Sequence, residues 1–136
     1  MRTTPHEPEP VVPASHLDLL ERPLFAHVST VRPDGLIQSN PMWFAWDGSV
    51  MRLTTSTPRQ KFRNVGHDDR VSVSVHDPDQ PYRYLELRGR LVEVEPDAQG
   101  VFFDFLADRY SFEVGSLPDR PQRVVLVVEP VQASWQ

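Results

Sequence analysis

Two-residue periodicity, interrupted by turn-forming residues, is the feature that most limits what this chain can become. "LFAHVSTV" alternates apolar and polar residues, "RPDG" turns, "LIQSNPMWFAW" resumes the alternation, and "DG" turns again into "VMRLTT". Side chains on a pleated strand change face at every residue, and Asp-Gly supplies the conformations a tight hairpin needs. The pattern predicts three strands in a meander rather than a strand–helix–strand unit. Further on, "RVSVSVHD" puts Val71, Val73 and Val75 on one face, as in a half-buried strand. "YRYLELRGRLVEVE" reads as a long strand whose apolar phase slips between Leu91 and Val92, close to Gly89. A bulge or bend of the kind that barrel corners need is expected there. The chain closes on "RVVLVVEPV", apolar on both faces and so expected to be buried on both.

Helical signals are short. In "SHLDLLERP", Ser15 is placed to cap a helix that shows Leu17 and Leu20 on one face before Pro23 ends it. "TPRQKFRNVGHD" predicts a second helix with Thr57 as N-cap, Pro58 at the first helical position and Gly66 near its end. "AQGVFFDFLADRY" predicts another. Residues 1–13 carry Pro5, Pro8, Pro10 and Pro13 and little apolar content, the composition of a disordered or extended tail. Residues 14–136 are then one domain, long enough for a real core. Six mostly antiparallel strands with two or three short helices define a mainly β class, a closed or nearly closed β-barrel.

Composition narrows the function. A net charge of −5 runs against the electrostatics of nucleic-acid binding. The absence of cysteine excludes a disulfide framework, a thiolate metal site and a thiol nucleophile. The five histidines are scattered with no pair at metal-ligand spacing, so no metal site is expected. No apolar run is long enough to span a bilayer and no secretion signal is visible, which makes a cytoplasmic protein the expectation.

One stretch stands out chemically. The chain has thirteen arginines and a single lysine, Lys61, which sits in "TSTPRQKFRN" between Arg59 and Arg63 and behind a run of hydroxyls. A phosphate needs donors converging from one side: hydroxyls, backbone N–H groups at a helix start, and one or two cations. Thr55, Ser56 and Thr57 before a helix start, with Arg59 and Lys61 in its first turns, have those types in that order. A capped, exposed basic helix whose cations are simply solvated has the same pattern. Trp43, Phe44 and Trp46 crowd one strand, either as packing against a helix or a second subunit or as a flat wall for a ring-shaped ligand. Just before them, Pro41 in "QSNP" implies an edge or broken strand, because proline cannot donate to a ladder.

In order, "STVRPDGLIQSNPMWFAWDG", "TTSTPRQKFRN", "DDRVSVSV" and "DPDQPYRYLELRG" resemble the pyridoxamine 5'-phosphate oxidase-like split-barrel flavoproteins, over about residues 20–95. The likeness is to the branch that uses the deazaflavin coenzyme F420. It implies a six-stranded split β-barrel that dimerises, with two cofactor sites in the grooves between subunits. It also implies that Thr55, Ser56, Arg59, Lys61 and Asn64 bind the cofactor phosphate, and that Gln38, Ser39 and Pro41 lie along the ring. Tyr82 and Arg83 in "PYRY" would approach the site of the neighbouring subunit. Pro58 stands where many relatives have glycine, and it removes a backbone N–H from the phosphate loop. The resemblance favours the phosphate reading of Lys61.

The activity so implied is hydride transfer between reduced F420 and a small organic acceptor with an activated C=C or C=N bond. No residue pair argues for itself as the acid–base machinery, which suits chemistry that the cofactor supplies. Two alternatives share the barrel: an FMN-dependent oxidase or reductase, and a non-catalytic protein that carries a cofactor or a tetrapyrrole.

Overall fold

The structure, a computed structural model, describes residues 10–136. The expected tail over residues 1–13 lies outside the described residues as far as residue 9. Val12 is already packed in the core, so the ordered domain begins before residue 14. Seven strands form one antiparallel sheet: β1 (Ala26–Val31), β2 (Ile37–Met42), β3 (Phe44–Trp46), β4 (Met51–Ser56), β5 (Arg70–His76), β6 (Tyr84–Pro96) and β7 (Arg123–Trp135). Three α-helices accompany them: α1 (Asp18–Glu21), α2 (Gln60–His67) and α3 (Val101–Arg109).

The strand order, β2-β1-β5-β6-β7-β4-β3, forces the sheet to curl. Its two edges are β2 and β3, which are consecutive in the chain and separated only by Trp43. Neighbouring Cα atoms lie about 3.8 Å apart, so edges joined by one residue must come together. The result is a curled, split barrel, as the sequence pattern implies, but with seven strands in place of six. "LIQSNPMWFAW" is one alternating run that changes partners midway. Met42 pairs with Ala26 of β1, whereas Phe44 pairs with Leu53 of β4. Periodicity reports facing, not partnership, so this division is invisible in the sequence.

Inside the curl, alternate residues of the strands (Val28, Phe44, Leu53, Val73, Val75, Leu85, Leu87 and Leu126) meet Leu19 and Leu20 of α1. Side chains of this size stabilise by roughly 1.5–3 kcal/mol each when fully buried. β7 is buried from Val125 to Val128, which matches its two-sided apolar pattern. The β6–β7 ladder slips at Arg88/Gly89 and at Leu91/Glu93, where the phase shift predicts a bulge. Glycine is required at 89 because a Cβ there would fall on the backbone carbonyl of Glu129.

Two helix starts differ from expectation. α2 begins at Gln60 with Arg59 as its N-cap, not with Thr57 and Pro58, which form a tight turn closed by Arg59 N–H donating to Ser56 O at 3.1 Å. Ser15 caps nothing: it lies in a 3-10 turn, and its Oγ bonds to His16 Nδ1 at 2.8 Å. α3 is where "AQGVFFDFLADRY" predicts it, and the Asp97 carboxylate accepts the N–H groups of Phe102 and Phe103 at its start.

Candidate functional site

The end of β4, the start of α2 and the edge strand β2 enclose a groove. Its outer part, ≈ 680 Å³, is lined by Gln38, Asn40 and Pro41 of β2, by Ser56, Pro58, Arg59, Gln60 and Lys61, and by Asp119 and Gln122. A smaller inner chamber of ≈ 170 Å³ is lined by Met42, Trp43, Thr54, Thr55 and Arg123, and Arg59 and Lys61 line both parts. The turn at Thr57–Arg59 swings the chain from β4 into α2. The hydroxyls of Thr55 and Ser56 and the first-turn cations therefore meet in one corner.

That corner is electrostatically unbalanced. Among the described residues, most arginines sit within ion-pair distance of a carboxylate: Arg22, Arg32, Arg52, Arg70, Arg83, Arg88, Arg90, Arg120 and Arg123. Arg109 donates instead to the carbonyls of Leu20, Glu21, Arg22 and Phe44. Arg59, Lys61 and Arg63 have no carboxylate partner among the described residues. Burial, with Arg59 and Arg123 adding repulsion, draws the Lys61 ammonium below its ordinary pKa. Among the described residues the buried Thr55 Oγ1 atom has no hydrogen-bond partner, and Thr55 is one of the residues that line the inner chamber. A buried hydroxyl of this kind costs free energy unless something accepts from it or donates to it. The N–H groups of Phe62 and Arg63 already donate to the Arg59 carbonyl, which leaves those of Gln60 and Lys61 as the donors that the start of α2 can add.

The other expected site residues divide. Gln38 and Pro41 line the groove, but Ser39 is exposed and lines neither part; alternation gives its place to Asn40, whose Oδ1 accepts from Gln38 Nε2 at 3.0 Å. Asn64 is fully buried. Its Nδ2 donates to Thr30 Oγ1 at 3.0 Å and Gln38 Oε1 at 3.2 Å, and its Oδ1 accepts from Gln60 Nε2 at 2.9 Å. It ties α2 to β1 and β2 and so holds the two walls of the groove in register. Arg63 is exposed and lines neither cavity. Tyr82 is exposed and Arg83 bonds to Asp18, Asp77 and the Ser15 carbonyl; neither borders the groove of its own chain. Trp43 turns away from Phe44 and stacks on Tyr110 with ring centroids 5.2 Å apart, and it also lines the inner chamber, so it packs against the α3 region and borders the site at once. Arg123 escapes the sequence reading altogether. It is brought to the corner by the β4–β7 ladder, in which it pairs with Ser56. Among the described residues no group of three His, Cys, Asp or Glu side chains could hold a metal ion, and no helix is long and apolar enough to cross a membrane.

Residues 12–135 match the pyridoxamine 5'-phosphate oxidase family. The chain belongs to that family. A solved structure named "F420 Reductase" is 50% identical, with a TM-score of 0.88, and the match covers 90% of this chain and 98% of the other. Two more distant structures share the fold. A conserved hypothetical protein from Mycobacterium tuberculosis is 24% identical (TM-score 0.72, 98% of this chain and 90% of the other). The general stress protein 26 of Bacillus anthracis is 20% identical (TM-score 0.67, 88% and 93%). No curated protein sequence matches the chain. Membership in the family and the structure named for F420 reduction point to an oxidoreductase that works with a flavin or deazaflavin.

Proposed function

We propose that the protein is an F420-dependent oxidoreductase that transfers hydride between the reduced deazaflavin and a small organic acceptor with an activated C=C or C=N bond. One observation carries this reading: among the described residues, Arg59 and Lys61 of the β4–α2 corner have no carboxylate partner and the buried Thr55 hydroxyl beside them has no hydrogen-bond partner. Such a donor set fits an anionic group. The 50% identical F420 reductase structure supports the deazaflavin as its bearer.

Thr55, Ser56, Arg59 and Lys61 would hold the cofactor phosphate. Arginine brings a planar fork and lysine a movable point charge, so the pair can grip one phosphate from two directions. Gln38 and Pro41, joined by Asn40, would run along the ring. Asn64 would act through them, by fixing Gln38 and α2. When bound, the deazaflavin supplies the two-electron chemistry. The residues of the chain supply binding and orientation, and a remote phosphate grip is a means of holding a ring in place for reaction. Homodimerisation belongs to this reading. The exposed outer-sheet residues Ile37, Val92 and Val131 would meet a second copy, and Tyr82 and Arg83 would approach the neighbouring site.

Titration of the purified protein with F420 and with FMN, followed by turnover on quinone, enone, nitro and bilin acceptors, tests this. F420 binding with reduction of at least one acceptor is expected. Tight FMN binding without F420 binding would make it the FMN-dependent enzyme. Binding with no turnover across the whole panel would make it a carrier.

A further inference from the structure

Behind the corner lies a cation whose geometry is unlike the others. Arg123 opens β7, is 8% exposed, and lines the inner chamber with Thr55, Arg59 and Lys61. A guanidinium has two hydrogen-bonding edges and a flat face. Here one edge is held by Asp119: Nε donates to Oδ1 at 3.2 Å, and Nη2 lies 3.2 Å from Oδ2. The face is covered by Phe103, whose ring centroid is 4.7 Å from Cζ. The other edge is almost unused. Among the described residues, Nη1 has only Thr54 Oγ1 for a partner, at 3.4 Å, and Thr54 lines the same chamber. Clamped on one edge and one face, the side chain has already lost the rotamer freedom that an anion would otherwise have to remove.

Charge points the same way. Arg59, Lys61 and Arg123 border the groove with one carboxylate, Asp119, and three cations against one anion leave two positive charges over. A phosphate monoester dianion carries two negative charges, and so does a phosphodiester with one carboxylate beside it.

We propose that Arg123 is a third ligand of the cofactor's anionic group, aimed by Asp119 and Phe103 and binding through its Nη1 edge. The inference rests on the reading of the β4–α2 corner as a phosphate site. It adds a residue that lies outside the segment where the family resemblance looks for phosphate ligands.

The test uses the full chain and the Arg123→Lys variant, which keeps the charge and the Asp119 partner but has no second fork edge. Binding of F420 and of FMN is measured separately by calorimetry, with thermal melts of the ligand-free protein alongside. Arg123→Lys is expected to melt close to wild type and to bind the cofactor that wild type takes about tenfold or more weakly. Inorganic phosphate alone should raise the melting temperature of wild type and lose that effect in the variant. If Arg123→Lys does not fold, Arg123→Gln with Asp119→Asn replaces it, because that pair removes both charges together. Binding within twofold of wild type would overturn the proposal. The Arg59→Ala/Lys61→Ala double variant separates the two levels. If it loses binding while Arg123→Lys keeps it, only the role of Arg123 fails; if both keep it, the phosphate reading fails as well.

Discussion

Replacing Asn64 with alanine should loosen the groove and the fold together, and the size of the effect follows from its contacts. The side chain is fully buried and makes three hydrogen bonds, to Thr30, Gln38 and Gln60. Gln38 and Gln60 are part-exposed and can turn to water, so losing each bond costs about 1 kcal/mol. Thr30 is 3% exposed, and its oxygen would lose a donor that water cannot replace, a cost of about 1–3 kcal/mol. The total is about 3–5 kcal/mol, which for a domain of this size is a fall in melting temperature of roughly 10–20 °C. Thermal denaturation followed by circular dichroism measures it. Asn64→Leu with Thr30→Val replaces both members of that pair with apolar groups and should recover the share of the loss due to Thr30, about 1–3 kcal/mol, because its oxygen is then no longer stranded. A melting temperature within about 2 °C of wild type for Asn64→Ala would refute the reasoning that this residue joins α2 to the sheet.

Two further predictions concern the bulge and the lysine. Gly89→Val should be destabilising by about 2 kcal/mol or more, since its Cβ would overlap the Glu129 carbonyl of β7, a backbone atom that cannot rotate away; chemical denaturation reads this as a lower midpoint. Lys61 has a pKa below its ordinary value in the free protein, so its protonated form opposes folding, and its contribution to stability improves as pH rises from the lowered pKa towards the ordinary 10.5. An anion in the corner favours the protonated form, so cofactor affinity should weaken as pH rises through that lowered value, and Lys61→Arg should remove this dependence. Denaturation midpoints at a series of alkaline pH values check the first statement, and calorimetric titrations over the same range check the second.

Local pattern was enough to show most of the barrel, because strand facing is written residue by residue. Val71, Val73 and Val75 alternate in the sequence and are buried in the structure, and the phase slip near Gly89 is a real slip of the ladder. What stayed hidden is what depends on partners. Met42 and Phe44 belong to different edges, although nothing in their spacing says so. Thr57 and Pro58 are good helix starters by type, yet the chain uses them to turn, because Ser56 is still paired with Arg123 in the β4–β7 ladder and the backbone must leave that ladder before it can coil. The corner proposed to hold the phosphate was legible as far as it is local, through Thr55, Ser56, Arg59 and Lys61. Asn64 shares that local run but faces inward, one turn after Gln60, and its burial depends on Thr30 and Gln38 from other strands. Arg123 is distant in sequence from all of them. The signal available was an arginine at the head of a strand apolar on both faces, which requires some partner for a charge carried into the interior.

The most direct test of the account is the affinity of Arg59→Ala/Lys61→Ala for F420, measured by spectral titration beside wild type and with melting curves for both. Losing two charge-assisted contacts to a phosphate should weaken binding by about 100-fold or more, with little change in melting temperature, because neither cation has a carboxylate partner to strand among the described residues. Affinity equal to wild type in a folded double variant would contradict the claim that this corner holds the cofactor.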